Sequence, residues 1–285
     1  MLRDRLIYGS IFIAALIGLV WADESIDERF GVQTALLFPA VLIVGLLASY
    51  ELTVMVRSSG GFPMSRIMTM LAVAAGMTVS SFTRADLGGV SGVAVACTTA
   101  GAVLLVSMAY YARNRSAEGV VAASSATVFA FVYIGLLGGF FVVLAKEYTG
   151  WLVLGVLLTT KSCDIGAYFT GRAIGRTTLI EWLSPKKTWE GLVGGVVTSA
   201  VIGAALVASA PSGIAPLAVW EGALLGLVFG LVGQVGDLAA SLMKRDMGRK
   251  DSANTLPGFG GVLDVADSPL LIGPVAYWLL TALAG

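Results

Sequence analysis

Nine apolar runs constrain the fold of this chain more than any other feature. Their approximate limits are 6–22, 34–56, 66–82, 88–111, 123–145, 150–169, 191–210, 217–240 and 268–284. A helix needs about 20 apolar residues to cross a bilayer. Charged residues make up 13% of the chain and hydrophobic residues 57%, whereas soluble domains carry about 25% charged residues. We therefore predict an all-α, polytopic membrane protein with about nine transmembrane helices.

The distribution of lysine and arginine predicts how these helices are oriented. If the N-terminus is cytosolic, the segments on the cytosolic side carry 14 Lys and Arg residues. The opposite loops carry only Arg29, Arg84 and Lys146. Because cytosolic loops of membrane proteins are enriched in Lys and Arg, we expect a cytosolic N-terminus in the inner (cytoplasmic) membrane. Cleavage of the first span as a signal peptide, after Val20-Trp21-Ala22, is the alternative. The acidic segment Asp23–Arg29 is predicted to be a solvated outer loop.

Composition also excludes several kinds of chemistry. The chain has no histidine, which rules out a histidine general base, a histidine-dependent triad and a histidine-ligated metal site. Its net charge of zero predicts no nucleic-acid partner. Glycines recur at four-residue spacing, as in Gly222, Gly226 and Gly230 or in Gly191 and Gly195. Such spacing predicts close packing of membrane helices rather than ligand contact.

The two loops richest in polar residues, 170–190 and 241–268, lie in the second half of the chain. We divide it into N-terminal transmembrane helices (1–150, spans one to five) and a C-terminal catalytic region (151–285) with cytosolic loops 170–190 and 241–268. Lys161, Asp164 and Asp237 are ionisable residues that fall inside predicted spans. Such residues are costly in a bilayer and indicate function, although Lys161 and Asp164 could simply pair across one helical turn.

The residue types in this region predict phosphate chemistry. The candidate metal-binding carboxylates are Asp164, Asp237, Asp264 and Asp267. Carboxylates bind Mg²⁺ well when phosphate oxygens complete its coordination. The candidate phosphate-binding cations are Lys186, Lys187, Lys244, Arg245 and Lys250. Amide N–H groups of the Pro257–Gly261 turn could approach a phosphate closely. Together these groups predict phosphoryl or nucleotidyl transfer. By contrast, Arg57, Arg66, Arg113 and Arg115 are interpreted only as orientation signals.

Four motifs in this region resemble those of a known family. Ser241, Lys244, Arg245, Lys250, Asp251, the turn Pro257–Gly261, Asp264 and Asp267 resemble in spacing the signature of phosphatidate cytidylyltransferases (CDP-diacylglycerol synthases). The segments Ser184–Gly191, Asp164–Arg172 and Gly236–Leu238 resemble three further motifs of that family. The chain departs from the signature at Phe259, Val265 and Ala240, where the family has His, Arg and often Glu.

The resemblance implies a reaction and a role for each motif residue. The reaction transfers a cytidylyl group from CTP to phosphatidate, giving CDP-diacylglycerol and pyrophosphate. The catalytic residues would be Asp237, Asp264 and Lys244. Asp237, Asp264 and Asp267 would hold Mg²⁺, and a second cation could bind in addition to it. The substrate-binding residues would be Asp164, Ser184, Lys186, Lys187, Ser241, Arg245, Lys250, Asp251, Gly258, Gly260 and Gly261. The site would face the cytosol, and a homodimer is expected.

Three other functions are compatible with the sequence. A transporter could use the charges inside the spans, although transporters usually show internal repeats and sites near the midplane, which this chain does not. A CTP-dependent polyprenol kinase would transfer the γ-phosphate and release CDP. A non-catalytic homologue would bind lipid without turnover.

Overall fold

The computed structural model describes residues 2–59, 62–82, 88, 90–113, 115–210, 217–256 and 258–284. Arg84 and Pro257, which the sequence analysis singled out, lie outside them. The helices are α1 (Leu2–Phe30), α2 (Leu37–Ser58), α3 (Arg66–Ser80), α4 (Gly92–Ala112), α5 (Val120–Ala130), a π-helical segment (Phe131–Leu136), α6 (Leu137–Glu147), α7 (Gly150–Ile174), α8 (Trp189–Ser209), α9 (Val219–Asp246) and α10 (Val262–Ala284). The strands are β1 (Thr178–Ile180) and β2 (Ser184–Thr188).

The predicted fold class is confirmed within the described residues. Eight helices there are long and apolar enough to cross a membrane, and α5, the π-helical segment and α6 count as one of them, Val120–Glu147. The remaining predicted span is α3, which has 15 residues. The protein is a nearly all-α, polytopic membrane protein.

The acidic segment that follows the first span is helical, so its prediction as a loop was wrong. Helix α1 continues through it to Phe30. The Asp23 side chain is buried and accepts backbone N–H groups of Leu36 at 2.6 Å and Leu37 at 3.1 Å. Because the first amides of a helix have no partner within it, this carboxylate satisfies amides at the start of α2.

The two predicted cytosolic loops are shorter than expected. Helix α7 ends at Ile174 rather than at 169, and a small antiparallel hairpin of β1 and β2 fills most of the first loop. Helix α9 continues to Asp246 and α10 begins at Val262. Only residues 247–261 therefore separate these helices, because both helices continue through charged turns that were predicted to be loop.

Backbone contacts divide the chain into two compact units. The first comprises Met1–Glu147 and Asp246–Ala266, and the second comprises Tyr148–Arg245 and Asp267–Gly285. The predicted division into 1–150 and 151–285 stays a prediction.

In the first unit, glycines bring α3 against the π-helical segment. A Cβ atom on Gly135 would lie 2.9 Å from the Val73 carbonyl oxygen, and one on Gly76 would lie 2.7 Å from the Phe131 carbonyl oxygen. Both distances are too short for a real side chain, so the two backbones approach only because these residues are glycine. The Phe131 side chain beside them is fully buried.

In the second unit, α7, α8 and α9 pack through small residues. A Cβ atom on Gly195 would lie 2.6 Å from the Cys163 carbonyl oxygen. One on Gly222 would lie 2.7 Å from the Gly203 carbonyl oxygen. The prediction that these glycines serve helix packing is confirmed, as is typical of membrane helices.

Candidate active site

Three lysines and three aspartates form a charge cluster in the second unit. Its members are Lys161 and Asp164 of α7, Lys187 of β2, Asp237 and Lys244 of α9, and Asp267 of α10. The Lys161 ammonium lies 3.6 Å from the Asp164 carboxylate, which confirms the pairing considered for these two residues. The Lys187 ammonium contacts the Asp237 carboxylate. The two chain segments that contribute Lys187 and Asp237 are far apart in sequence, and packing of the unit brings them together.

A second ion pair of the cluster is almost completely buried. The Lys244 ammonium lies 3.5 Å from the Asp267 carboxylate, and their side chains are 9% and 4% exposed. Asp267 also accepts the Ser268 backbone N–H at 2.6 Å and the Ser268 hydroxyl at 3.1 Å. Lys161 donates to the Ser268 hydroxyl at 3.3 Å, which links α7 to α10. Removing either partner would leave the other buried charge less well compensated.

Gln234 joins two parts of the cluster and was missed by the sequence analysis. Its amide nitrogen donates to Asp164 at 2.7 Å. Its amide oxygen accepts the Lys187 ammonium at 2.9 Å. Because Gln234 precedes Asp237 by three residues on α9, both side chains lie on one helix face. A polar amide inside an apolar span, three residues before an aspartate, is a signal that could have found it.

The cluster balances three positive charges against three negative ones. Asp237 interacts electrostatically with Asp164 and with Asp267. The three lysines act on it from three different elements. Paired charges offset much of the cost of burial. A polyanion entering here would find lysines that are already held in place by carboxylates.

These carboxylates suit a shared metal ion rather than a closed metal site. Among the described residues, no group of three or more His, Cys, Asp or Glu is placed to hold a metal ion. Mg²⁺ usually takes one or two carboxylates and completes its shell with water and substrate phosphates. Asp237 and Asp267 offer the hard oxygen ligands that this ion prefers, so the donor set fits Mg²⁺ bound together with a phosphate substrate.

Residues 258–261 of the glycine turn and Asp264 belong to the first unit, where hydrogen bonds connect them to the preceding part of the loop. One oxygen of Asp264 accepts the Ser252 N–H at 2.9 Å, the Ser252 hydroxyl at 3.0 Å and the Gly261 N–H at 2.8 Å. The Phe259 N–H donates to the Leu256 carbonyl at 3.1 Å. The amides of Phe259, Gly260 and Gly261 therefore have acceptors within the loop, and their predicted approach to phosphate stays a prediction.

The two turn glycines that bracket Phe259 have left-handed backbone conformations. Gly258 has a φ of 82° and Gly260 a φ of 94°. Residues with side chains rarely adopt these values. A Cβ atom on Gly260 would also lie 2.6 Å from the Asp264 carboxylate. The motif thus has glycine at these two positions because the backbone there is left-handed, a reason that the spacing of the residues alone did not reveal.

Glu51 of α2 holds the same loop and was also missed. Its side chain is buried and accepts hydrogen bonds from the Ser252 hydroxyl at 3.0 Å and the Thr255 hydroxyl at 2.7 Å. It also accepts the backbone N–H groups of Val262 and Leu263, both at 3.0 Å. These amides open α10, so Glu51 caps that helix from another part of the unit. A glutamate inside a predicted span was the signal.

The sequence matches the model of one known protein family. A model of the cytidylyltransferase family matches residues 3–283. The chain belongs to the cytidylyltransferase family. The resemblance stated from the four motifs is therefore confirmed, and family membership covers the N-terminal helices as well.

Curated relatives of this cytidylyltransferase-family chain match part of its length. The phosphatidate cytidylyltransferase of Mycobacterium bovis is 38% identical over 165 residues, covering 56% of this chain and 51% of that protein. That of Brucella suis is 46% identical over 119 residues, covering 41% and 42%. The Escherichia coli protein YnbB is 41% identical over 133 residues, covering 45% and 42%. The matched part spans about half the length of these relatives or less.

The structure places the other predicted site residues of this family member in varied surroundings. The side chains of Lys186, Arg245, Lys250 and Asp251 are exposed, and those of Ser184 and Ser241 are half-buried. Their substrate-binding roles stay predictions. Of the three departures from the signature, Ala240 is 1% exposed and Phe259 is 41% exposed. A polar residue would thus be tolerated more easily at Phe259 than at Ala240.

Proposed function

We propose that this protein transfers the cytidylyl group of CTP to phosphatidate, producing CDP-diacylglycerol and pyrophosphate. The observation that supports it best is the charge cluster of the second unit, since Asp164, Lys187, Asp237, Lys244 and Asp267 all belong to motifs shared with the family. Its relatives include proteins named phosphatidate cytidylyltransferase.

The proposed reaction needs positioning and charge neutralisation more than proton transfer. A phosphate oxygen of phosphatidate attacks the α-phosphorus of CTP, a new P–O bond forms, and the bond to the β-phosphate breaks. The nucleophile is already an anion at neutral pH, so a chain without histidine can carry out this step.

The lysines of the cluster would act on the triphosphate. Lys187 is held by Asp237 and Gln234, and Lys244 is held by Asp267. When phosphate oxygens arrive, these ammonium groups would neutralise the charge that develops on the leaving pyrophosphate. Because the lysines are already oriented, little reorganisation is needed at the moment of reaction.

Magnesium is proposed as the cofactor. Asp237 and Asp267 would hold it, and the resemblance adds Asp264. When bound, Mg²⁺ would neutralise and orient phosphate oxygens of the substrate. Asp164, bonded to Lys161 and Gln234, would keep the polar side chains of α7 and α9 in register.

The proposed location is the inner membrane, with the N-terminus and the catalytic residues on the cytosolic side. The excess of Lys and Arg in the predicted cytosolic segments supports this orientation. With nine spans the C-terminus would then lie outside the cytosol. A C-terminal alkaline phosphatase fusion should be active, and a C-terminal fluorescent protein of the kind that fails to fold outside the cytosol should be dark.

A homodimer is proposed from the family, to be tested by the mass of the detergent-solubilised protein.

The activity is tested with purified protein in lipid–detergent micelles containing CTP, phosphatidate and Mg²⁺, with and without EDTA. We expect pyrophosphate and CDP-diacylglycerol to form together and EDTA to stop both. Release of CDP without pyrophosphate would indicate a kinase instead. Folded protein that forms neither product would favour lipid binding or transport.

A matched pair of variants tests the role of the cluster. Asp237→Asn removes a carboxylate that contacts Lys187 and should lower turnover by about 100-fold or more, the scale typical of losing one electrostatic group in a catalytic site. Asp246→Asn makes the same change at an exposed position on the same helix and should leave turnover unchanged. Equal turnover in the two variants would remove Asp237 from the mechanism.

A further inference from the structure

A cavity in the first unit gathers three arginines that the sequence analysis interpreted only as orientation signals. Its volume is about 400 Å³. Its polar lining residues come from the end of α2, the start of α3 and the end of α4: Arg57, Ser65, Arg66, Tyr110, Tyr111 and Arg113. None of the described residues that line it is acidic. The cavity therefore concentrates positive charge that its own walls do not balance.

Two of these guanidinium groups are held by aromatic rings. Arg113 lies 3.7 Å above the centre of the Tyr110 ring and donates to the Tyr110 carbonyl at 3.0 Å. Arg66 lies 4.9 Å above the ring of Tyr50. Stacking on an aromatic face restrains an arginine before any ligand arrives. The geometry is thus partly organised in advance, which reduces the entropy lost on binding.

Hydroxyl groups and a helix end complete the walls. The Ser65 hydroxyl lies 3.0 Å from the Tyr110 hydroxyl, and the Ser65 N–H donates to the Tyr111 hydroxyl at 3.0 Å. Ser65 caps α3, a helix of 15 residues. The positive end of the α3 dipole consequently adds to the field of the three arginines at the cavity.

We propose that this cavity, which we name the arginine pocket (Arg57, Arg66 and Arg113 with Ser65, Tyr110 and Tyr111), binds a phosphate group. Orientation of the helices requires arginines on one side of the membrane, but it does not require that three of them line one cavity. Planar guanidinium groups match phosphate oxygens in pairs. The volume is in the range of small-molecule sites. The phosphate could belong to a lipid headgroup or to a soluble phosphate compound.

Binding is measured without turnover, so the test does not depend on the proposed activity. Full-length protein in phosphatidylcholine nanodiscs, with and without phosphatidylglycerol, is analysed by native mass spectrometry for bound anionic lipid. A second arm adds inorganic phosphate and follows displacement of that lipid. The test variant is Arg57→Gln/Arg66→Gln. The matched control is Arg29→Gln/Arg115→Gln, which removes the same charge at two exposed positions outside the pocket.

We expect phosphatidylglycerol binding to weaken by about tenfold or more in the test variant, because hydrogen bonds to charged groups are lost, and to stay unchanged in the control. Displacement by inorganic phosphate at low concentration would assign the pocket to a soluble phosphate compound, and resistance would assign it to the headgroup. Equal binding in both variants, or equal loss in both, would overturn the proposal. If the double variant does not fold, Arg113→Lys replaces it. That variant keeps the charge but loses the paired geometry, so unchanged binding there would also count against the pocket.

Discussion

Replacing Glu51 by glutamine should loosen the start of α10 and the loop before it. Each carboxylate oxygen of Glu51 accepts one backbone N–H and one hydroxyl: Oε1 takes Val262 and Thr255, and Oε2 takes Leu263 and Ser252. Glutamine keeps one oxygen and turns the other into an NH₂ donor. One backbone amide of α10 and one hydroxyl therefore lose their acceptor in either orientation of the new side chain.

The size of the effect follows from burial. An unsatisfied buried donor costs about 1–3 kcal/mol, and the hydroxyls can turn to other acceptors, as Ser252 already does with Asp264. The lost amide bond dominates, so we expect local opening to become easier by about 2 kcal/mol, which corresponds to roughly a 30-fold change in the opening equilibrium.

Hydrogen–deuterium exchange of the peptide that covers residues 252–264 measures this opening. The Glu51→Gln protein should exchange about 30-fold faster there when exchange reports the opening equilibrium. Glu28→Gln makes the same chemical change at an exposed position on α1 and should exchange as the unmodified protein does. Wild-type exchange in Glu51→Gln, or the same increase in Glu28→Gln, would refute this account of the loop.

Three further substitutions test other parts of the structure. Asp264→Asn keeps an oxygen for the loop hydrogen bonds but removes the charge. Turnover should therefore fall by about 100-fold, while hydrogen–deuterium exchange of the loop stays unchanged. Near-normal turnover would exclude a metal role for Asp264. Phe259→His should preserve the melting temperature within about 2 °C. This side chain is 41% exposed, and substitutions at exposed positions usually cost under about 0.5 kcal/mol of stability. Loss of folded protein would contradict the alignment of the turn with the family signature. Gly195→Ala should destabilise the second unit by about 1–3 kcal/mol, because its Cβ would meet the Cys163 carbonyl at 2.6 Å. The control is Gly155→Ala, where a Cβ meets nothing within 4 Å, and it should leave the melting temperature unchanged or raise it. Equal melting temperatures of the two alanine variants would argue against close α7–α8 packing.

The helices could be predicted because membrane insertion depends on the hydrophobicity of segments of about 20 residues. Each apolar run matched one helix, except that the run 123–145 comprises α5, the π-helical segment and α6. The other differences are at the helix ends, as where α9 continues to Asp246. Those ends carry charged residues that hydropathy assigns to loops, while their backbone hydrogen bonds continue the helix. The hairpin at 178–188 was missed for a related reason: it is held by cross-strand pairing and carries no long apolar pattern.

The sequence by itself determined the fold class, the number of apolar helices and the motifs that indicate the family, since each depends on residue type and spacing along the chain. Only the tertiary structure decided which charged groups meet: Lys187 with Asp237, Lys244 with Asp267, and Glu51 with the amides of α10. It also decided that arginines placed in separate segments line one pocket. The physical reason is that a buried charge needs a partner in space, and packing of distant segments supplies that partner in ways that spacing along the chain does not encode.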